Sequence, residues 1–269
     1  MDQQAIRAQM PTLVAGHVPR NIRTFKYRVF DGEPKRSTMG FFVDPEPFDG
    51  TVIAITDAAI VIKVGRADFA VVDRNMVTQQ PAEGDKVHVQ PYARRCFDGK
   101  RADTPEERTE TWNGHSYSVK TVVLGSAAAK LPIPTPQCPE LKALIEQLEE
   151  LPAPDGYRRI THLLVDAGAR DFTWVDPEPD DIIKTPPAIA FDVATGKFEG
   201  RVTVLYERGD DLYAVELRRG EELVERVDEV FADSLGEVLE RLIDDGQWRQ
   251  IRLEIFPVPA RTRRQKVSA

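Results

Sequence analysis

Residues 51–72 read TVIAITDAAIVIKVGRADFAVV, a run dense in β-branched side chains and broken at two turn-prone points, Thr56-Asp57 and Gly65-Arg66. Val, Ile and Thr pack well on a pleated surface and lose rotamer freedom in a helix, so the run predicts a meander of short strands. KVHVQPY continues it at 86–92, where Val87 and Val89 alternate with His88 and Gln90, the period of a strand with one buried face. YSVKTVVL at 117–124 supplies a further strand. Closing short strands into a cylinder removes their exposed edges, so the expectation for residues 1–130 is a small β-barrel, SH3-like or OB-like.

The alternating prolines of LPIPTPQCPE, 131–140, remove backbone donors and favour an extended chain, which places a linker there. Beyond it, PELKALIEQLEEL puts Leu141, Leu144, Ile145, Leu148 and Leu151 on one helical face, with Pro139 suited to the first turn. YRRITHLLVDAG reads as a second helix, with Asp155 as N-cap and Gly168 as stop. FTWV, AIAFDV, RVTVLYE, DLYAVELR and ELVERV follow as strands, with Arg208-Gly209-Asp210-Asp211 as a hairpin connection. Ser234-Leu235-Gly236-Glu237 fits a capping box opening a helix to about Asp244, and WRQIRLEIF alternates as a last strand. The fold class expected is therefore α+β: a small N-terminal barrel, then an α+β domain over 141–257 with an antiparallel sheet, then a basic flexible tail, 258–269.

The length of 269 residues suits two domains, with 41% hydrophobic and 30% charged residues allowing a lean core. No apolar run approaches the ~18 residues of a membrane span, and the first twenty residues lack the apolar core of a leader, so no membrane contact is expected. With Cys96 and Cys138 as the two cysteines, the chain reads as cytoplasmic. The net charge of −8 is unevenly spread: residues 1–130 carry 18 basic and 16 acidic side chains, residues 131–257 carry 14 and 28. An acidic second domain steers basic partners toward itself, and any nucleic-acid contact must come from a local basic surface in the first.

Within the strand-rich part lie Gly50-x-Val52, the Val64-Gly65-Arg66 turn, Val71-Val72 leading to Asp73, and Pro81-x-x-Gly84-Asp85-x-Val87-x-Val89-x-x-Tyr92. On these residues the stretch from Phe48 to Arg101 resembles the small domain named for the plasmid protein KfrB. The resemblance covers about a fifth of the chain. It implies a gene carried by a plasmid or integrative element, acting in maintenance, conjugation or host defence, and it brings no catalytic residues.

Arg94, Arg95, Lys100 and Arg101 are interleaved with Tyr92 and Phe97, a composition able to hold phosphates and stack a base, and Arg66 adds a cation at a turn. The same charges also read as a solvated loop. Tail cations Arg261, Arg263, Arg264 and Lys266 offer a further basic element. Asp176, Glu178, Asp180 and Asp181 are oxygen donors of the kind a hard cation takes, but Pro177 and Pro179 hold them apart, and no metal is expected. His17, His88, His115 and His162 belong to no HExxH or Cys/His pattern, and no phosphate loop or dinucleotide fingerprint implies a cofactor. Arg95 beside Cys96 is the one sign of an activated thiol.

The function expected is a non-enzymatic accessory protein that binds nucleic acid or a nucleoprotein through the first domain and a basic protein through the second. Two other readings stay open: an inhibitor of a host defence enzyme acting through the acidic domain, and an enzyme whose site assembles from distant residues.

Overall fold

A computed structural model describes residues 1–121, 123–125 and 127–257, so the expected basic tail lies outside the described residues. The chain divides into two compact units, each assembled from separate stretches. The first takes Met1–Glu33, Pro45–Tyr92 and the chain from Arg249; the second takes Pro34–Asp44 and Ala93–Trp248.

The first unit is built on a six-stranded sheet in the order Lys26–Phe30, Asp68–Asp73, Ala59–Lys63, Phe48–Ile55, Lys86–Gln90, Arg252–Ile255. The first pair is parallel, Lys26 to Phe30 against Asp68 to Val72, and every other pair is antiparallel. Strands at 48–55, 59–63, 68–73 and 86–90 are where the β-branched run and the alternation place them.

The barrel does not form, and the α+β assignment is corrected with it. The terminal strands Lys26–Phe30 and Arg252–Ile255 do not pair with each other, none of the sheets closes, and the chain is mainly β, 38% strand against 19% helix. The physical reason is that this sheet buries both faces. Ile60, Ile62, Ala70 and Val72 join Phe48, Val52, Val87, Val89, Ile251 and Leu253 in one cluster. The intervening Ala59, Val61, Phe69 and Val71 join Ile6, Met10 and Val14 in another.

Ile6 and Met10 come from the helix Gln3–Leu13, where Asp2 Oδ1 caps the amides of Gln4 and Ala5 at 2.9 and 3.2 Å. A helix covering one face removes the drive to roll that face up. Curl remains on the other: the Phe30 and Phe48 rings stand 5.0 Å apart although two strands separate theirs in the sheet. Gly50 sits at a close approach of two strands, since a Cβ there would lie 2.4 Å from Ile62 Cγ2 and 2.7 Å from the Lys63 carbonyl.

The second unit carries a five-stranded antiparallel meander: Arg170–Val175, Ala188–Ala194, Glu199–Glu207, Leu212–Arg219 and Glu222–Val230. Ile189, Phe191, Val193, Val202, Val204, Tyr213, Val215 and Leu217 face a core shared with the helices Pro139–Glu150, Ile160–Asp166 and Leu235–Ile243. Leu141, Leu144 and Leu148 are the buried stripe of the first helix, at the spacing the sequence sets. Leu131 and Cys138, from the proline-rich stretch, belong to the same core.

Two capping expectations are corrected. Asp155 caps the amides of Tyr157 and Arg158, a turn ahead of the helix that begins at Ile160, and Ser234 makes no side-chain cap bond.

One hairpin of this unit stands apart from both its core and its large sheet. Glu106–Trp112 and His115–Thr121 pair in seven consecutive antiparallel steps through an Asn113-Gly114 turn in which both residues have positive φ, 50° and 78°. Every residue of the two strands is exposed except Val119, which is half-buried.

Candidate functional site

The residues singled out for phosphate contact do not form one cluster of uncommitted cations. Arg66 and Tyr92 fall in the first unit; Arg94, Arg95, Phe97, Lys100 and Arg101 fall in the second. Arg66 is exposed and donates to Asn21 Oδ1 at 3.3 Å, and Tyr92 is half-buried. Residues 94–102 form a tight hairpin, with the Cys96 amide on the Lys100 carbonyl and the Ala102 amide on that of Arg94.

Within that hairpin Arg95 donates to the Gly99 carbonyl at 2.8 Å, Lys100 pairs with Asp98 at 2.8 Å and Arg101 with Asp103 at 2.6 Å. Phe97 turns its ring edge-on to Phe172, 5.1 Å between centroids, against the apolar core. Burial, with Asp98 next in weight, pushes the Cys96 thiol up, so this cysteine is held as the neutral thiol despite its arginine neighbour.

Arg94 is buried. Its Nε lies 3.1 Å from Asp44 Oδ1, its Nη1 donates to the Tyr157 carbonyl at 3.0 Å, its Nη2 to the Phe42 carbonyl at 3.3 Å, and its guanidinium lies 4.2 Å from the centre of the Tyr157 ring. The Tyr157 hydroxyl also donates to Asp44. Burial and the Asp44 charge drive that phenol well above its ordinary range.

Close in sequence, Arg158 bonds Asp155, Asp166 and Asp244 and faces Trp248, its guanidinium 4.0 Å from the ring centre. Burial opposes its charge, but the carboxylates, Asp166 foremost, outweigh burial and raise it. His162, fully buried, presents Nε2 to the Ala127 carbonyl at 3.1 Å while its Nδ1 accepts from the Arg159 amide at 3.1 Å, which assigns the Nε2–H tautomer. Burial first, then Arg94, brings it down to about 4. Each of these groups spends its bonding capacity on fixing turns, and the set works as a clamp on the loops it joins.

One residue of the acidic run, Asp176, is likewise put to structural use. Both Asp176 oxygens accept backbone amides, of Gln137 at 2.9 Å and Cys138 at 2.8 Å, where the helix Pro139–Glu150 begins. Among the described residues no group of three acidic, histidine or cysteine side chains has metal-binding geometry.

A second group of carboxylates lies on the outermost strand of the meander, Glu222–Val230, and the turn before it. There Glu225 pairs with Arg241 and Asp228 with Arg226, which also holds Glu207 and Glu216. Glu221, Glu222 and Glu229 are exposed and enter no ion pair among the described residues. Between and beyond them Leu223, Val224 and Phe231 are 45%, 44% and 63% exposed. Glu229 adopts a left-handed φ of 57° at a register shift, which costs a non-glycine residue about 1 kcal/mol. ELVERV is readable as a strand, but its place at the edge depends on a strand order that the sequence does not state.

Comparison with protein-family models, with characterised proteins and with solved structures finds no match. No described helix is long and apolar enough to cross a membrane.

Proposed function

We propose that the chain works by binding, as an accessory protein of a plasmid or integrative element whose acidic second unit docks a basic protein. The observation that carries this is the outer strand Glu222–Val230 with its flanks, where unpaired Glu221, Glu222 and Glu229 frame exposed Leu223, Val224 and Phe231. Exposed apolar side chains give a partner desolvation energy, and these carboxylates, with the acidic balance of the unit, outweigh Arg226 on the strand and Arg218 and Arg219 beside it and favour a basic partner. The resemblance of residues 48–101 to the KfrB-like domain supports the mobile-element setting.

The test is titration of the labelled full chain with a synthetic peptide of alternating Lys and Leu over a salt series. Binding weakens as salt rises, Glu222→Lys with Glu229→Lys lowers affinity about tenfold or more, and Phe231→Ala lowers it at all salt concentrations. Equal binding of a Glu-Leu peptide, or indifference to both variants, overturns the reading.

A further inference from the structure

The hairpin Glu106–Trp112/His115–Thr121 is a two-stranded sheet with water on nearly every residue, and such a pair is marginal by itself in water. Its two outer edges differ. Glu106–Trp112 carries Glu106, Glu107, Arg108 and Glu110, the charged dressing that blunts an edge. His115–Thr121 carries one full charge, Lys120, among Ser116, Tyr117, Ser118, Val119 and Thr121, and no register shift breaks it. It is an edge without a bulge and without a further strand beside it among the described residues.

We infer that this edge pairs with the same edge of a second copy of the chain, joining two hairpins into a four-stranded antiparallel sheet about a twofold axis at Ser118. Antiparallel pairing centred on Ser118 sets Tyr117 against the partner's Val119, Ser116 against the partner's Lys120 and His115 against the partner's Thr121. No like charges meet, and the aromatic to β-branched pairing occurs twice. The register within the hairpin extends the match. Glu110 stands beside Tyr117 and Arg108 beside Val119, so a row across the joined sheet runs Glu110, Tyr117, the partner's Val119, the partner's Arg108. Opposite charges end this row and its symmetry mate, while the row through His115 and the partner's Thr121 ends on Trp112 and the partner's Glu106. The opposite face is lined by Thr109, Thr111, Ser116 and Ser118, with Glu107 bonded to Lys120. The backbone edge supplies the affinity and the side-chain rows fix the register.

The experiment is sedimentation equilibrium of the full chain up to about 1 mM, a range that detects even a weak self-association. The wild type forms a concentration-dependent dimer. Ser118→Lys places two ammonium groups face to face at the axis and raises the dimer dissociation constant at least about fivefold, and Ser118→Glu does the same. Mixing the two variants restores association, which a merely misfolded hairpin would not do. A wild-type monomer throughout the range, undiminished dimer in both variants, or no recovery on mixing overturns the inference.

Discussion

Asp44 and Arg94, 3.1 Å apart and both withdrawn from solvent, form an ion pair that reaches fifty residues along the chain within the second unit. A guanidinium in that position is tolerable because each of its three nitrogens donates to an oxygen, Nε to Asp44, Nη1 to the Tyr157 carbonyl and Nη2 to the Phe42 carbonyl. Removing the carboxylate therefore does more than delete a bond, since it strands a buried cation and a buried phenol together. Asp44→Ala is expected to cost about 3–5 kcal/mol in urea unfolding, with Asp44→Asn losing less because the amide oxygen still accepts. Equal, small losses in both variants would show that water reaches Arg94.

His162 gives the stability of the second unit a definite pH dependence. It is neutral in the fold and lowered from 6.5 to about 4, so between those values the unfolded chain binds the proton and the folded chain does not. Its contribution is whole above pH 6.5 and drains away as pH falls toward 4, with a span on the order of 3 kcal/mol. Urea midpoints measured from pH 7.5 to 4 should fall in that window, and His162→Gln should flatten the fall while lowering stability at pH 7.5. An unchanged slope in the variant would assign the pH response to other groups.

These buried groups were poorly legible in the sequence, and the reason is physical. A short amphipathic helix announces itself through Leu141, Leu144 and Leu148, and a meander through its β-branched runs, because periodicity is a local property. Arg94 and Arg158 look like any surface arginines until Asp44 and Asp244 arrive from 50 and 86 residues away. The barrel expectation failed for a related reason. IVIK and FAVV lack the alternation of a one-sided strand, and that continuity signals a sheet buried on both faces. Yet the covering helix Gln3–Leu13 and the outer strands at 26–30 and 252–255 are remote in sequence from the run they complete. The hairpin at 106–121 did leave a local mark, Asn113-Gly114 between strand formers, the strongest short-range turn signal.

Arg158 is the place where charge and burial are most finely balanced, and removing it should produce the most distinctive response. One guanidinium, with no side-chain exposure, serves Asp155, Asp166 and Asp244, whose side chains are 6%, 12% and 8% exposed. With Arg158→Leu the three carboxylates face one another in a site of low polarity, and their affinity for protons rises above that of the unfolded chain. A carboxylate shifted upward lowers stability as pH rises through the window between its unfolded and folded values, and the penalty vanishes on protonation. The wild type behaves oppositely there, because against the pull of burial Asp155 is held below its ordinary value by the backbone amide of Arg158 and then by its guanidinium; that support is lost on acidification, and Arg158→Leu removes the guanidinium's share of it. Both effects act in one direction: the gap between wild type and Arg158→Leu should be about 3–5 kcal/mol near neutrality and narrow steadily toward pH 4. Arg158→Lys keeps the charge but not the planar fork, so it should recover part of the gap at neutral pH. Urea unfolding of the three proteins at pH 7.5, 5.5 and 4 decides it, and a gap that stays constant with pH would mean that the carboxylates reach solvent without Arg158 and that its role is packing against Trp248.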